Sequence, residues 1–484
     1  MEQPVITPEW TKDAIFYQIF PDRFAKSDRV IKPNNLEPWD TPPTPRGFKG
    51  GDLIGVQEHL DYLEDLGVNA IYFTPVFQSA SNHRYHTFDY YQVDPLLGGN
   101  EALHSLLDAA HARDMRVVLD GVFNHASRGF FQFNHILECG DKSPYVDWFH
   151  TKDFPLNAYE LDQEPNYRAW AGLHALPKFN TGNPQVRDFI LDVAVYWANF
   201  GIDGWRLDVP TEIDDDTFWQ EFRRRVKAAN PEAYIVGEIW HEAKRWLAGD
   251  QFDAIMNYVM TRPAIAFFGA RSIAPLWHGG NYPPLQPIDA AGFAEAIEAS
   301  LSLYDWEVTQ VQLNLLSSHD TPRFLTMVEN DADALKLAML FQMTMPGAPT
   351  VYYGDEIGLT GGYDPGMRGT FPWDRRDLWD MDLLGFVRDT IRVRKGSVAL
   401  RRGTYRTVLA EGERYAFERV YGSERVLVAF NVAQSHASMD LPLVEGGSPR
   451  LVFGSVEEIA RHDDTLSLKL PPRTGVVIAL DADA

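Results

Sequence analysis

Three carboxylate side chains in this chain come at or just after the C-terminal end of a short apolar run. Asp208 closes the run 204–208, Glu238 closes 234–238, and Asp320 follows 311–316. In a parallel sheet closed into a barrel, these strand ends converge on one mouth, where side chains from different strands act together. Burying several carboxylates in one cavity destabilises the folded state, because the charged groups lose water. The arrangement therefore indicates function, and glycosidic bond hydrolysis is a reaction that uses paired carboxyl groups.

Hydrolysis with retention needs one carboxylate to attack the anomeric carbon and a protonated carboxyl, about 5–5.5 Å away, to donate to the leaving oxygen. Asp208 is the predicted nucleophile, because strand alternation puts Arg206 on the same face and its guanidinium should lower the pKa of Asp208. Apolar neighbours such as Trp240 should raise the pKa of Glu238, which suits a general acid. Asp320 is predicted to bind sugar hydroxyls and favour ring distortion.

Other polar side chains occur in the same motifs. His125 and His319 are expected to donate hydrogen bonds to sugar hydroxyls that strengthen in the transition state. A purely structural role would also explain Asp120, which could serve to hold Arg206 in place. Taken singly, an aspartate at a strand end is often a helix cap. Together, four motifs in order at four predicted strand ends favour one shared site: Asp120–His125, Gly204–Asp208, Gly237–Trp240 and Ser318–Asp320.

The elements that must position these residues alternate along the chain. Eight apolar runs separated by amphipathic helices predict a parallel α/β barrel. One helical stripe, Val56–Leu66, ends at Gly67, and another helix opens at Asn183-Pro184 and ends at Gly201. The predicted strands are Ala14–Phe20, Val68–Phe73, Arg116–Val122, Gly204–Asp208, Tyr234–Glu238, Ala254–Tyr258, Val311–Leu316 and Thr350–Tyr353.

Two departures from this alternation define further domains. About 60 residues rich in aromatic and polar groups separate the third strand from the helix at Asn183, and connections of that length are usually functional. From about Val398 the pattern changes to short alternating strands, with a hairpin across Gly422-Ser423. The predicted domains are a barrel (1–125 and 181–395), an inserted subdomain (126–180) and a C-terminal β domain (396–484). Loops within 126–180 and 261–300 are expected to shape the cleft.

Composition excludes several partners. The net charge of -24 argues against nucleic acid and anionic membranes, which attract clustered lysine and arginine. No apolar run approaches the roughly 20 residues of a membrane span. The N-terminal segment Met1–Val5 lacks the basic and apolar pattern of a secretory signal, so we expect a cytoplasmic protein. A single cysteine, Cys139, excludes an intrachain disulfide.

The motifs resemble the four sequence regions of the alpha-amylase superfamily, and Leu176–Asn180 resembles its fifth region. The similarity runs from about Trp10 to the C-terminus. It implies a (β/α)8 TIM barrel with a subdomain inserted after strand 3 and a C-terminal β-sandwich domain. By this resemblance Asp208 is the nucleophile, Glu238 the acid/base and Asp320 the transition-state stabiliser. The supporting positions it implies are Asn124, His125, Arg206 and His319, with Tyr85 as an aromatic platform under the sugar.

Finer features resemble one subgroup, the cyclomaltodextrinases, neopullulanases and maltogenic amylases. They are the runs Leu176–Asn180, Gly237–His241, Gln251–Tyr258 and Tyr353–Gly358. The resemblance implies cleavage of α-1,4 bonds, in some members also α-1,6 bonds, in cyclodextrins, pullulan and short maltooligosaccharides. Alternatives are a transglycosylase or α-glucosidase on the same fold, a metal-dependent hydrolase, and a carbohydrate-binding homologue that has lost the chemistry. That subgroup usually has an extra N-terminal β domain, whereas about a dozen residues precede the first predicted strand here, which leaves the oligomeric state open.

Many members of the superfamily bind calcium in a loop after the first strand. Here that loop reads Ala25-Lys26-Ser27-Asp28-Arg29-Val30-Ile31-Lys32, with Asp52 further on. Calcium takes six to eight oxygen ligands, which lysine and isoleucine cannot supply. We therefore predict no calcium at this loop and no other cofactor, with Lys26 or Lys32 supplying positive charge instead.

Overall fold

The computed structural model describes residues 5–273, 285–443 and 447–481. Residues 1–4 of the N-terminal segment and residues 274–284 of the predicted cleft loop lie outside this description. The strands are β1 (Phe16–Ile19), β2 (Ala70–Phe73), β3 (Phe77–Ser79), β4 (Thr87–Val93), β5 (Arg116–Gly121), β6 (Gly204–Leu207), β7 (Tyr234–Gly237), β8 (Ala254–Ile255), β9 (Leu313–Leu315), β10 (Ala348–Tyr352), β11 (Thr404–Glu411), β12 (Arg414–Tyr421), β13 (Glu424–Asn431), β14 (Ala437–Pro442), β15 (Ser448–Phe453), β16 (Glu458–His462), β17 (Thr465–Leu470) and β18 (Thr474–Asp481).

The helices alternate with the first ten strands and then cover the junction with the C-terminal sheets. They are α1 (Glu9–Lys12), α2 (Pro21–Phe24), α3 (Leu53–Glu58), α4 (Leu60–Leu66), α5 (Gly99–His111), α6 (Phe131–Cys139), α7 (Pro184–Phe200), α8 (Asp216–Ala229), α9 (Tyr258–Phe268), α10 (Ala290–Leu301), α11 (Trp306–Thr309), α12 (Phe324–Met327), α13 (Ala332–Thr344), α14 (Met381–Lys395) and α15 (Val398–Arg402). None of the described helices combines the length and apolar composition needed to cross a membrane.

Eight parallel strands form the barrel. Their order is β8-β7-β6-β5-β2-β1-β10-β9, and a parallel bridge between Met256 and Leu313 joins the two ends. Side chains alternate across it: Trp205 and Leu207 pack outward against the helices, whereas Tyr72 and Val236 fill the interior. The predicted barrel is confirmed, and every predicted strand corresponds to an observed one.

Several predicted boundaries are wrong by a few residues. The strand predicted to end at Tyr258 stops at Ile255, because the Asn257 side chain accepts a hydrogen bond from the amide of Met260 and starts α9. The stripe 56–66 is divided between α3 and α4 at His59. The residues after Val398 form a helical turn, α15, capped by Ser397, before the C-terminal strands begin at Thr404.

Two further units surround the barrel. The segment between β5 and α7 contains α6 and an aromatic cluster that includes Phe130, Phe149 and Phe179. The C-terminal strands form two antiparallel sheets, β11-β12-β13-β18-β15 and β14-β17-β16, with apolar side chains such as Leu427 and Leu468 between them. The inserted subdomain after strand 3 and the β-sandwich are thus confirmed, while the exact boundaries at 125, 180 and 395 stay a prediction.

Glu356, a buried carboxyl, ties the loop after β10 to the barrel. The hydroxyls of Tyr17 and Tyr62 donate to its Oε1 at 2.7 and 2.6 Å, and the Gly354 amide donates to Oε2 at 2.9 Å. Burial nevertheless raises the pKa of Glu356 to about 7, because the loss of water outweighs the help of these donors.

We expect this carboxyl to make stability fall with rising pH. Its ordinary pKa is 4.5, so between pH 4.5 and about 7 the folded state binds more protons than the unfolded state. The shift corresponds to about 3 kcal/mol. Glu356→Gln cannot titrate, so its free energy of unfolding should rise by that amount relative to wild type between pH 4.5 and 7.5. Urea unfolding across this range measures the difference, and a constant difference would contradict the prediction.

Candidate active site

A cavity of about 700 Å³ opens at the C-terminal ends of the barrel strands. Six of the residues predicted from sequence contribute to its wall: Tyr85, His125, Asp208, Glu238, Trp240 and Asp320. The other four, Asp120, Asn124, Arg206 and His319, are buried beneath that wall, each at most 1 % exposed. The structure therefore brings all ten together in two layers, one facing the cavity and one supporting it.

The backbone between Asp208 and Glu238 has an unusual conformation. Val209, directly after Asp208, has φ 36° and ψ 52°, the left-handed region that a β-branched residue rarely adopts. In this conformation its amide donates a 3.0 Å hydrogen bond to Oε2 of Glu238. The Trp240 indole donates to the other oxygen, Oε1, at 3.0 Å. Local backbone strain thus coincides with the fixing of one carboxyl beside the other.

Arg206 lies between the carboxyl groups. Its Nη1 donates to both oxygens of Asp120 at 2.9 Å and to Oδ1 of Asp208 at 3.0 Å. Its Nη2 lies 2.9 Å from Oε2 of Glu238, as an ion pair without a well-directed hydrogen bond, and 3.9 Å from Oδ2 of Asp320. One guanidinium therefore bridges the two predicted catalytic carboxyls from below.

The net electrostatic effect differs from the expectation. Burial raises the pKa of Asp208 well above its ordinary range, although Arg206 opposes the shift. Burial also raises the pKa of Glu238, again opposed by Arg206. The expected lowering of the pKa of Asp208 is wrong in its net direction, because one guanidinium is shared among several carboxyls that have all lost water.

These carboxyls titrate together. Ionisation of Glu238 raises the pKa of Asp208, so the two hold their protons as a pair rather than as independent groups. Burial likewise raises the pKa of Asp120 to about 6 despite the ion pair with Arg206. When such a pair retains one proton, the ionised carboxylate can attack the sugar while the protonated carboxyl donates its proton to the leaving oxygen.

The supporting layer orients Tyr85 and Asp320. The Tyr85 hydroxyl donates to Oδ2 of Asp120 at 2.8 Å. Nδ1 of His319 accepts a 2.7 Å hydrogen bond from the Gln18 amide, which leaves the proton on Nε2, 3.1 Å from Oδ2 of Asp320. Burial lowers the pKa of His319 well below its ordinary value, so the ring is neutral.

His125 has a similar supporting contact. The Asn124 amide donates to Nδ1 at 3.2 Å, and Nε2 lies 3.3 Å from the Tyr85 carbonyl oxygen. Burial lowers the pKa of His125 to about 3, which makes it neutral as well. Both nitrogens of the ring already have protein partners, so donation to a sugar hydroxyl stays a prediction.

Several wall residues were not found from the sequence. Trp170 of the inserted segment stacks on His125 with ring centroids 5.5 Å apart. Arg368, in the loop after β10, donates to the His319 carbonyl at 2.8 Å and pairs with Asp364 at 2.9 Å and Asp320 at 3.4 Å. The remaining wall residues outside the predicted set are His83, His86, Leu173, Leu176, Val209 and Glu212. The aromatic richness of 126–180 was a signal for Trp170, but Arg368 had none.

A lysine side chain occupies the loop after β1. The Lys32 ammonium donates to Oδ2 of Asp52 at 2.7 Å and to the Gly50 carbonyl at 2.8 Å. The other donors to Asp52 are the amides of Ser27 and Gly55 at 2.9 and 2.7 Å. A cation here would displace the ammonium and face N–H groups, which repel it. Elsewhere in the described ranges, no group of three or more His, Cys, Asp or Glu side chains is placed to hold a metal ion.

Comparison with known proteins identifies the family. Residues 18–377 match the model of the alpha amylase catalytic domain, and residues 405–477 match that of the maltogenic amylase C-terminal domain. This chain belongs to the alpha-amylase family. It is 42% identical over 479 residues to a cyclomaltodextrinase of Geobacillus thermopakistaniensis, covering 98% of this chain and 78% of that protein.

Two other proteins have comparable similarity to this chain. An intracellular maltogenic amylase of Bacillus subtilis is 42% identical over 390 residues, covering 80% of this chain and 62% of that protein. The crystal structure of a debranching enzyme from Nostoc punctiforme is 48% identical, with a TM-score of 0.91, and is matched over 98% of this chain and 100% of that one. The predicted glycoside hydrolase family and its subgroup are confirmed.

Proposed function

We propose that this alpha-amylase family hydrolase cleaves glucosidic bonds with retention, with Asp208 as nucleophile and Glu238 as acid and base. One observation carries the proposal. The buried guanidinium of Arg206 contacts Asp208 through Nη1 and Glu238 through Nη2, at the floor of the cavity. Sharing one guanidinium supports a short separation, and retaining enzymes place the two carboxyls about 5–5.5 Å apart.

The reaction then proceeds in two balanced steps. An oxygen of Asp208 forms a bond to the anomeric carbon while the glycosidic oxygen leaves with the proton of Glu238. Glu238, now ionised, takes a proton from water, whose oxygen attacks the anomeric carbon and releases Asp208. Asp320 stabilises the distorted sugar, and Tyr85 provides a flat surface beneath it. The other proposed contributors are Asp120, Asn124, His125, Arg206, Trp240 and His319.

The proposed substrates are oligosaccharides joined by α-1,4 bonds: short maltooligosaccharides and cyclodextrins. The name of the Geobacillus relative supports cyclodextrins. A second candidate is cleavage of α-1,6 bonds, as in pullulan, which the debranching enzyme of Nostoc punctiforme supports. No nucleic acid or membrane partner is proposed.

A substrate panel tests the proposal. Incubation with maltotriose, β-cyclodextrin, pullulan and starch should release reducing sugar from the first two at the highest rates, with each product initially in the α configuration. Chains longer than maltotriose among its products would indicate that transfer competes with hydrolysis. An absence of reducing sugar from all four substrates, with a folded protein, would contradict the proposal and favour a binding protein.

We further propose that the loop after β1 holds no calcium and that the protein acts in the cytoplasm. The Lys32 contacts support the first statement, and a calcium ion found bound between Asp28 and Asp52 would contradict it. The likeness to the intracellular amylase of Bacillus subtilis supports the second, and recovery of the protein from culture medium would contradict it.

A further inference from the structure

Gln18 is a buried polar side chain in the interior of the barrel. It lies on β1 between Tyr17 and Ile19, which pack outward against the helices, so its own side chain points inward. Gln18 is 1% exposed, and its Oε1 has no hydrogen-bond partner among the described residues. A buried amide destabilises the fold unless its polar atoms are bonded. The 2.7 Å hydrogen bond from its amide to Nδ1 of His319 is therefore the contact that accounts for a polar residue here.

The groups on the other side of the His319 ring require a proton on Nε2. This nitrogen contacts the Tyr85 hydroxyl and lies 3.1 Å from Oδ2 of Asp320. The Tyr85 hydroxyl gives its own proton to Oδ2 of Asp120 at 2.8 Å, and an ionised carboxylate can only accept. Nε2 must therefore carry the proton, which leaves Nδ1 without one and in need of a donor. The Gln18 amide is that donor.

These hydrogen bonds form a chain that reaches the predicted nucleophile. Nη1 of Arg206 donates to both oxygens of Asp120 at 2.9 Å and to Oδ1 of Asp208 at 3.0 Å. If Nδ1 of His319 carried the proton instead, Nε2 would accept the Tyr85 proton, and Asp120 would lose a donor. Hydrogen bonds in a buried chain polarise one another, so reversing the first bond weakens the later ones. The chain comprises, in order, Gln18, His319, Tyr85, Asp120, Arg206 and Asp208.

The charge of His319 matters for Asp320. An imidazolium would place a positive charge 3.1 Å from Oδ2 of Asp320 and would offset the negative charge that stabilises the positive charge developing on the sugar. An uncharged donor at Nδ1 keeps the ring neutral, whereas a carboxylate there would favour the imidazolium. The charged groups facing His319 are Asp320, Arg206 and Arg368, and its neutral titratable neighbours are Tyr85 and His83.

We propose that Gln18 is a positioning residue: by donating to Nδ1, it fixes His319 in the neutral form that carries its proton on Nε2. It thereby sets the direction of the hydrogen bonds that orient Tyr85 and Asp320. Gln18 is not among the described residues that line the cavity, so it acts on the sugar only through His319. The inference rests on the proposed function for the reaction that these groups serve.

Two substitutions of similar size at position 18 test this role in the full chain. Gln18→Met cannot donate, so kcat on maltotriose should fall by about 10–100-fold at every pH, less than the loss of a donor in direct contact with the sugar. KM should change by less than about threefold, because the lost interaction acts in the transition state.

Gln18→Glu should give a dependence on pH that the wild type lacks. At low pH the carboxyl and Nδ1 share one proton while Nε2 keeps its own, so kcat should stay within about tenfold of the wild-type value. When the shared proton is lost, the carboxylate draws the remaining proton to Nδ1, and kcat should fall to the level of Gln18→Met. This step should lie above about pH 6.5, because the opposite charge raises the pKa of the His319 imidazole.

Gln310→Glu is the matched control. Gln310 is a buried glutamine that precedes β9, at the opposite end of the barrel from the cavity, and it donates to the Arg402 carbonyl at 2.9 Å. The ratio of its kcat to the wild-type value should not change with pH.

Nitrogen-15 NMR of wild-type protein labelled in histidine gives a readout that needs neither a folded position-18 variant nor turnover. The His319 signals, assigned by their absence from the spectrum of His319→Gln, should show an unprotonated Nδ1 and a protonated Nε2 across the pH range of the kinetic measurements. A proton on Nδ1 would overturn the inference. A folded Gln18→Met with kcat within about threefold of wild type, or a Gln18→Glu ratio that does not change with pH, would also overturn it. If the wild type hydrolyses none of the sugars but Nδ1 is unprotonated, the proposed function fails and the assigned direction of the hydrogen bonds stands.

Discussion

Asp208→Asn is expected to lower kcat on maltotriose by about 10⁴-fold or more, as removal of a catalytic nucleophile does in other enzymes. The amide keeps the shape of the side chain but cannot form the covalent intermediate. Affinity for maltotriose should stay within about tenfold of the wild-type value, because the wall formed by Tyr85 and Trp240 is unchanged. Steady-state release of reducing sugar and isothermal titration measure the two quantities.

A matched substitution on the surface controls for the change from carboxylate to amide. The Asp61 side chain is 85% exposed and pairs with Arg113 at the surface, so Asp61→Asn should leave kcat unchanged. A loss of less than about tenfold in Asp208→Asn, with the fold intact by circular dichroism, would exclude Asp208 as the nucleophile.

The barrel could be predicted because its strands are buried on both faces. Runs such as Tyr234–Gly237 read as short and uniformly apolar, and the side chain that breaks the pattern, Glu238, stands where the strand ends. The two clearest helix ends, Gly67 and Gly201, have φ 97° and 116°, the conformation for which glycine is favoured. Local chemistry sufficed at these positions.

Element ends were predicted less well where a side chain competes with the regular backbone pattern. Asn257 reads as one more residue of an apolar strand, yet its side chain caps α9. The stripe of apolar residues over 56–66 keeps its period across His59, so the division between α3 and α4 leaves no trace in the pattern. In both cases the course of the chain in the folded protein sets the boundary, and the spacing of apolar residues does not reveal it.

The residues of the candidate site likewise fall into those that could be predicted from sequence and those that could not. Residues borne by strand ends, such as Asp208 and Glu238, were found because the barrel dictates where those ends meet. Trp170 and Arg368 come from long connections, whose approach to the mouth depends on how the loops fold back. The protonation balance was also missed, because a sequence shows the single guanidinium of Arg206 but not how many carboxyls share it.

Glu238→Gln should slow the cleavage of bonds whose leaving group needs a proton much more than the cleavage of bonds whose leaving group does not. Hydrolysis of maltotriose should fall by about 10²–10⁴-fold, the usual contribution of a general acid. With α-maltosyl fluoride the leaving group departs as fluoride and needs no proton, so Asp208 should still be glycosylated rapidly. The second step lacks its base, so we expect a burst of about one fluoride per enzyme followed by slow turnover. A fluoride electrode and rapid mixing measure both phases.

Added azide provides a second test of the role of Glu238. Azide attacks the glycosyl-enzyme without giving up a proton, so it should restore turnover of the fluoride by Glu238→Gln and yield α-maltosyl azide. The same addition should not restore Asp208→Asn, which forms no covalent intermediate. Equal losses on maltotriose and on the fluoride, without an effect of azide, would assign the proton to another group. Because the Asp208 and Glu238 carboxyls titrate as a pair, only such paired substrates and variants can show which of them holds the proton at the moment of cleavage.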